Sequence, residues 1–327
     1  MTGSNRRHSA CKADALPTEL IPQNHNHYIN FEKKCQHILQ KKNKFFMSMW
    51  TIKCYSVCMS KFPFVKKQTA IVGLFLLFPI LSIFCQNYCL PFYNGKEQII
   101  FHTGFALQYS EQHEQPLWVA YKLTPNMIDS QLKRSNKFKE DPQVITQSAT
   151  IEDYKYSGYD RGHLAPAGDM KGSYKMHSDS FYLSNVSPQL SEFNQGIWHN
   201  LEKWVRAQAH KYQTVYVATG PIFTLSKKLK GSFIPTELIK EASKFAYYNP
   251  PIGENKVTVP FAFYKAIIVL GDNPKAIAFL IPQTASAKDS IFKYTLSIDQ
   301  LEELTGIDFF YQIPTELQES LEAKKSW

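Results

Sequence analysis

Four stretches rich in β-branched and aromatic residues most constrain how this chain can fold: residues 117–123 (LWVAYKL), 214–218 (TVYVA), 257–270 (VTVPFAFYKAIIVL) and 276–281 (AIAFLI). Each reads as a β-strand. Between the first two lies residues 194–210, where Trp198, Leu201 and Val205 recur at steps of three and four and form an apolar stripe. That spacing predicts a helix packed on one side. A second helix is expected over residues 298–305, stopped by Gly306. The segments interleave without an internal repeat, and no linker rich in Gly, Pro or Ser divides them. The expectation is one α+β domain over residues 90–327, a mainly antiparallel sheet with helices packed on it.

Charge and cysteine usage divide the chain at the same place. The formal net charge is +9, which would suit a polyanion-binding surface if it were spread over the fold. Residues 1–68, however, hold 12 of the 37 Lys and Arg but only three of the 28 acids, which leaves 25 of each sign beyond them. Any basic groove in the body is therefore local, and net charge by itself identifies no partner. All six cysteines precede residue 90. The body needs no disulfide and is large enough for a core to hold it. Cys54 and Cys58 lack a second ligand pair at zinc-finger spacing, so no metal site is expected there.

Residues 69–85 (TAIVGLFLLFPILSIFC) are uncharged and almost wholly apolar, with Lys61, Lys66 and Lys67 just ahead. The run is shorter than the ~20 residues of a bilayer span and carries its positive charge on the amino-terminal side, the layout of a signal peptide. Cleavage near Cys85 and Gln86 is expected, and Phe84 argues against lipidation of Cys85. Translation from Met59 would make MSKFPFVKKQ the charged region and leave residues upstream outside the natural product. The alternative is an uncleaved anchor with a basic cytoplasmic tail. The expected divisions are a basic leader (1–68), a signal peptide or anchor (69–89) and the folded body (90–327). The expected location is secreted or periplasmic, or membrane-anchored with the body outside.

Several familiar sites are absent: no phosphate-binding G-x-x-x-x-G-K-S/T loop, no G-x-G-x-x-G, no H-E-x-x-H and no G-x-S-x-G. What remains is residues 159–169 (YDRGHLAPAGD), with one histidine among an acid, an arginine and small residues. His163 is either a general base or a hydrogen-bonded structural residue. On the expected helix, Asn194, Glu202 and Arg206 are eight and four residues apart. At about 100° per residue these steps turn by roughly 80° and 40°, which puts all three on one third of the circumference. They could equally form a solvated face with a Glu/Arg pair. Asn185, in FYLSNVSPQ, reads as a buried amide or as a hydrogen-bonding loop residue.

Taken together, YDRGHLAPAGD, FYLSNVSPQ and FNQGIWHNLEKWVR resemble the DNA/RNA non-specific endonuclease family of ββα-metal nucleases, whose signature is the DRGH motif. The similarity extends to the intervals between Arg161, His163, Asn185, Asn194, Glu202 and Arg206. Weaker likeness spans roughly residues 98–318. The resemblance implies a ββα-metal core, His163 as general base, Asn194 as direct ligand of Mg²⁺ (Mn²⁺ may substitute) and Glu202 holding metal-bound water. It further implies that Asn185 supports that shell, that Arg161 and Arg206 contact the scissile phosphate, and that Asp160 positions its neighbours. The implied substrates are DNA and RNA, read through the backbone and cut to 5′-phosphate ends. An upstream basic residue is also implied, for which Lys122 and Arg134 are both candidates.

The chemistry stands beside the likeness. Phosphodiester hydrolysis needs a deprotonated water, positive charge on the phosphoryl oxygens and stabilisation of the leaving alkoxide, tasks suited to a histidine, arginines and a hard cation. A site built on one phosphate reads what every sequence shares. Two alternatives are a catalytically inactive nucleic-acid-binding protein on the same fold and a narrower phosphodiesterase.

Overall fold

A computed structural model describes residues 90–92, 97–133, 135, 137–225, 236–325 and 327. The basic leader, the apolar run with Cys54, Cys58 and Met59 upstream of it, and Arg134 lie outside the described residues. No helix among the described residues is long and apolar enough to cross a membrane.

Seven strands form one antiparallel sheet: β1 (Gln98–His102), β2 (Phe105–Ser110), β3 (Gln115–Leu123), β6 (Val215–Ile222), β7 (Ala262–Val269), β8 (Lys275–Pro282) and β9 (Thr295–Leu296), adjacent in that order. A separate antiparallel pair joins β4 (Asp160–His163) to β5 (Val186–Gln189). The helices that matter here are α1 (Ile151–Tyr154), α2 (His199–Tyr212), α3 (Thr236–Tyr248), α4 (Ile298–Thr305) and α5 (Thr315–Glu322). The α+β expectation, mainly antiparallel with packed helices, matches this architecture.

Strand alternation assigns the core to two faces. On β7, Ala262, Tyr264, Ala266 and Ile268 join one apolar cluster, while Phe263, Ile267 and Val269 join the other. The first cluster is completed by Ile239, Ala242 and Phe245 of α3, by Ile298 and Leu301 of α4, and by Leu321 of α5. The second takes Leu201, Val205 and Ala209 of α2 together with Trp198. Helices thus cover both faces, which is why the central strands read as continuous apolar runs.

Two expected elements differ in detail. The run 257–270 enters the sheet only at Ala262, because Pro260 has no amide hydrogen to give to a ladder. Residues 194–210 do not form one straight helix: Asn194–Trp198 is a π-helical turn, with Gly196 at φ −98°, ψ −109°, and regular helix begins at His199. The extra residue of that turn changes the phase between Asn194 and Glu202, so the 80° step does not hold across it. The α4 expectation holds to the residue: Ser297 and Gln300 form a capping box and Gly306 ends the helix at φ 69°.

Candidate active site

The β4–β5 pair carries the motif. Asp160 faces Gln189, Arg161 faces Pro188, Gly162 faces Ser187 and His163 faces Val186. Arg161 and His163, two apart on the strand, share one face of it; Arg161 is exposed and His163 is 8% exposed. The imidazole packs between two rings, 5.0 Å from Phe181 edge-on and 5.1 Å from Phe138. The Arg161 guanidinium lies over the other contact of that wall, 4.6 Å from the Phe138 ring centre.

Gly162 is required by close approach. A Cβ there would meet the buried Gln189 side chain, with Cγ at 2.5 Å.

A cavity of about 1020 Å³ opens beside the motif, lined by Asp160, Arg161, His163, Asn194, Glu202 and Arg206 among others. Five of the expected site residues therefore share one space with Asp160. Asn185 does not line it. That residue is fully buried, and its amide is consumed by the backbone: Oδ1 accepts from Ala165 N at 2.9 Å, and Nδ2 donates to Ala165 O and Ser180 O, each at 2.9 Å. Through these bonds Asn185 braces the chain leaving His163. Lys122 is on β3, outside the cavity lining.

Asp160 ties the two halves of the site together, its Oδ2 accepting from Asn194 Nδ2 at 2.9 Å and from Gln195 Nε2 at 3.2 Å. With its nitrogen held in this way, Asn194 is left with its carbonyl oxygen to offer. Glu202 sits one turn before Arg206, 3.8 Å from it, and 3.7 Å from His199 Nδ1. An amide oxygen and a carboxylate bordering an open space fit a hard divalent cation that keeps most of its waters. The one group of three close acids among the described residues, Asp299, Glu302 and Glu322, is on α4 and α5 instead.

Two charged neighbours of these residues were not anticipated. Asp169, fully buried, accepts from Arg206 Nη1 at 2.7 Å and from the Tyr121 hydroxyl at 3.0 Å. Burial raises its carboxyl pKa, with Arg206 pulling the other way. Lys265 on β7 is also fully buried, its ammonium 4.8 Å from the Trp198 ring. Burial lowers it to about 8, while Glu202 and Asp169 pull it back up. Both left a signal in the sequence: Asp169 closes YDRGHLAPAGD, and Lys265 is the single charge inside the apolar run 257–270.

Residues 91–316 match the family model for DNA/RNA non-specific endonucleases. The chain belongs to that family. Family members are metal-dependent hydrolytic nucleases, so this chain is an enzyme of that class. Nuclease C1 of Cunninghamella echinulata var. echinulata is 35% identical over 215 residues, 63% of this chain and 80% of its own length. Human mitochondrial endonuclease G is 34% identical over 230 residues, 68% of this chain and 72% of its own. The mitochondrial nuclease of Saccharomyces cerevisiae is 32% identical over 229 residues, 66% and 67% of the two chains. Among solved structures, an EndoG/EndoGI complex superposes with a TM-score of 0.58 at 29% identity, covering 68% of this chain and 90% of that one.

These relatives overturn one expectation. The basic leader and apolar run suggested a secreted or periplasmic protein, yet endonuclease G and the yeast enzyme are both mitochondrial.

Proposed function

We propose that this chain is a Mg²⁺-dependent endonuclease that hydrolyses DNA and RNA with His163 as general base, leaving 5′-phosphate ends. The observation that carries the reading is the meeting of His163, Arg161, Asn194, Glu202 and Arg206 around one cavity. His163, held between Phe138 and Phe181, takes the proton from the attacking water. Arg161 at the rim engages a phosphoryl oxygen, and Arg206, fixed by Asp169, lends positive charge to the same phosphate. Asn194, held by Asp160, would be the direct ligand of the metal, and Glu202 would orient its bound water. Held there, the cation would supply Lewis-acid stabilisation of the leaving oxygen. Contacts limited to the backbone account for activity on both polymers. The relatives' names favour mitochondria as the site of action, which fractionation of cells expressing the tagged full-length chain checks.

The test is digestion of plasmid DNA and of RNA by the purified chain, with Mg²⁺ or EDTA, beside His163→Ala. The wild type should degrade both, EDTA should stop it, and His163→Ala should lose roughly 10²- to 10⁴-fold in rate. Equal rates for mutant and wild type would refute the mechanism. Activity on neither polymer would favour an inactive nucleic-acid-binding protein.

A further inference from the structure

The rim of the cavity carries a feature that phosphate chemistry does not use. Tyr156 is 96% exposed and lines the same space as Arg161 and His163. Its φ of 59° lies in the left-handed region, which a bulky residue occupies only at an energetic cost. Packing does not compensate, since nearly the whole residue faces solvent.

The turn that presents it is nonetheless firmly held. Thr150 and Asp153 form a capping box at the start of α1, and the buried Asp153 also accepts from Asn255 N at 3.1 Å and Nδ2 at 2.8 Å. On the far side, Ser157 Oγ donates to Tyr154 O at 2.8 Å and accepts from Tyr159 N at 3.2 Å. A strained aromatic is thus anchored on both flanks and held in solvent at the mouth of a nuclease cavity. Lys155 stands beside it, 5.7 Å from the ring centre and paired with Glu152 at 3.1 Å.

We propose that Tyr156 is a stacking platform for an unpaired nucleobase flanking the scissile phosphate, so that single-stranded DNA and RNA are preferred over duplex. The inference rests on the nuclease reading above and names its substrate class. Every base offers a π-face, so stacking binds without selecting sequence or sugar. In a duplex those faces are already covered by neighbouring bases, and the ring has nothing to stack on unless a base is unstacked. Lys155 is placed to meet the adjoining phosphate.

The test compares the full-length chain with Tyr156→Phe and Tyr156→Gly, using a single-stranded oligonucleotide containing 2-aminopurine and its duplex. Glycine relieves the φ cost, so Tyr156→Gly should unfold at the same temperature or higher. In EDTA, wild type and Tyr156→Phe should quench the fluorophore on binding, and Tyr156→Gly should not. With metal present, the glycine variant should raise the single-strand KM about tenfold, within the range of a lost base–aromatic stack, with the loss carried by KM rather than kcat. The duplex KM should move far less. Unchanged single-strand KM and quenching in Tyr156→Gly would overturn the platform and leave the nuclease reading intact. Quenching by a wild-type chain that never cleaves would instead overturn the nuclease reading and support the platform.

Discussion

At the scale of single residues, two positions beneath the site show how narrowly it is built. Gly162 lies under the buried Gln189 side chain, whose amide atoms have no hydrogen-bond partner among the described residues and whose Cγ would be 2.5 Å from an added Cβ. Gly162→Ala must displace either β4 or that side chain, and should cost about 1–3 kcal/mol of stability by denaturant unfolding, with activity falling as the motif shifts. Lys265 poses the opposite case, a buried cation without a hydrogen bond, within electrostatic reach of Glu202 and Asp169. Methionine fills a similar volume, so Lys265→Met should fold. The remaining cluster then loses a positive charge, which makes protonation of Asp169 easier and raises its pKa. The expected result is a roughly 10- to 100-fold loss of activity and an acid limb of the pH–rate profile moved to higher pH, with Lys265→Arg retaining more activity. An acid limb that stays in place would show that Lys265 only fills space. The intervals in the sequence made the candidate residues legible, but not what Asp169 and Lys265 would pair with, because the partner of a buried charge depends on which strands become neighbours.

At the scale of elements, α4 and α5 bring Glu302 and Glu322 together against the sheet. Burial raises Glu302 to about 7 and Glu322 to about 8, Asp299 and Asp308 push both the same way, and Glu302 adds to the rise at Glu322. Both pKa values lie above those of the unfolded chain, so between about pH 4.5 and 8 the native state holds more protons than the unfolded one, and stability falls as pH rises. The unfolding temperature should therefore drop by several degrees from pH 5 to pH 8, and Glu322→Gln should flatten that decline. A melting temperature that instead climbs across this interval would contradict it. Element legibility followed burial. Strands β3, β6, β7 and β8 announce themselves because both of their faces are covered, whereas DRGH and VSPQ give β4 and β5 no β-branched run to read. The π-turn before α2 was equally silent, since its additional residue is a property of the backbone path around Gly196 rather than of composition.

At the scale of the whole molecule, a basic stretch ahead of an apolar run directs a chain to a membrane without naming which one, and that is where the sequence reading of location failed. Charge distribution was read better, and it sets how the enzyme should respond to salt. Beyond residue 68 the two signs balance, so attraction for a polyanion is local, and the cavity is its expected source. Its cations are Lys155, Arg161 and Arg206. Lys155 is paired with Glu152 at 3.1 Å, and Arg206 with Asp169 at 2.7 Å. Arg161 alone has no carboxylate within 4.0 Å among the described residues, and its guanidinium rests on Phe138. Each neutralised phosphate contributes about −0.7 to −0.9 to the slope of log affinity against log salt, so one or two effective contacts give a slope of roughly −1 to −2 for kcat/KM. That is shallow beside a protein that grips DNA through many phosphates. Arg161→Gln should flatten the slope by nearly one unit, whereas Lys155→Gln should change it less because Glu152 already screens that charge. Measured between 50 and 200 mM salt, a wild-type slope near zero, or one that Arg161→Gln leaves untouched, would place the electrostatic contact outside this cavity.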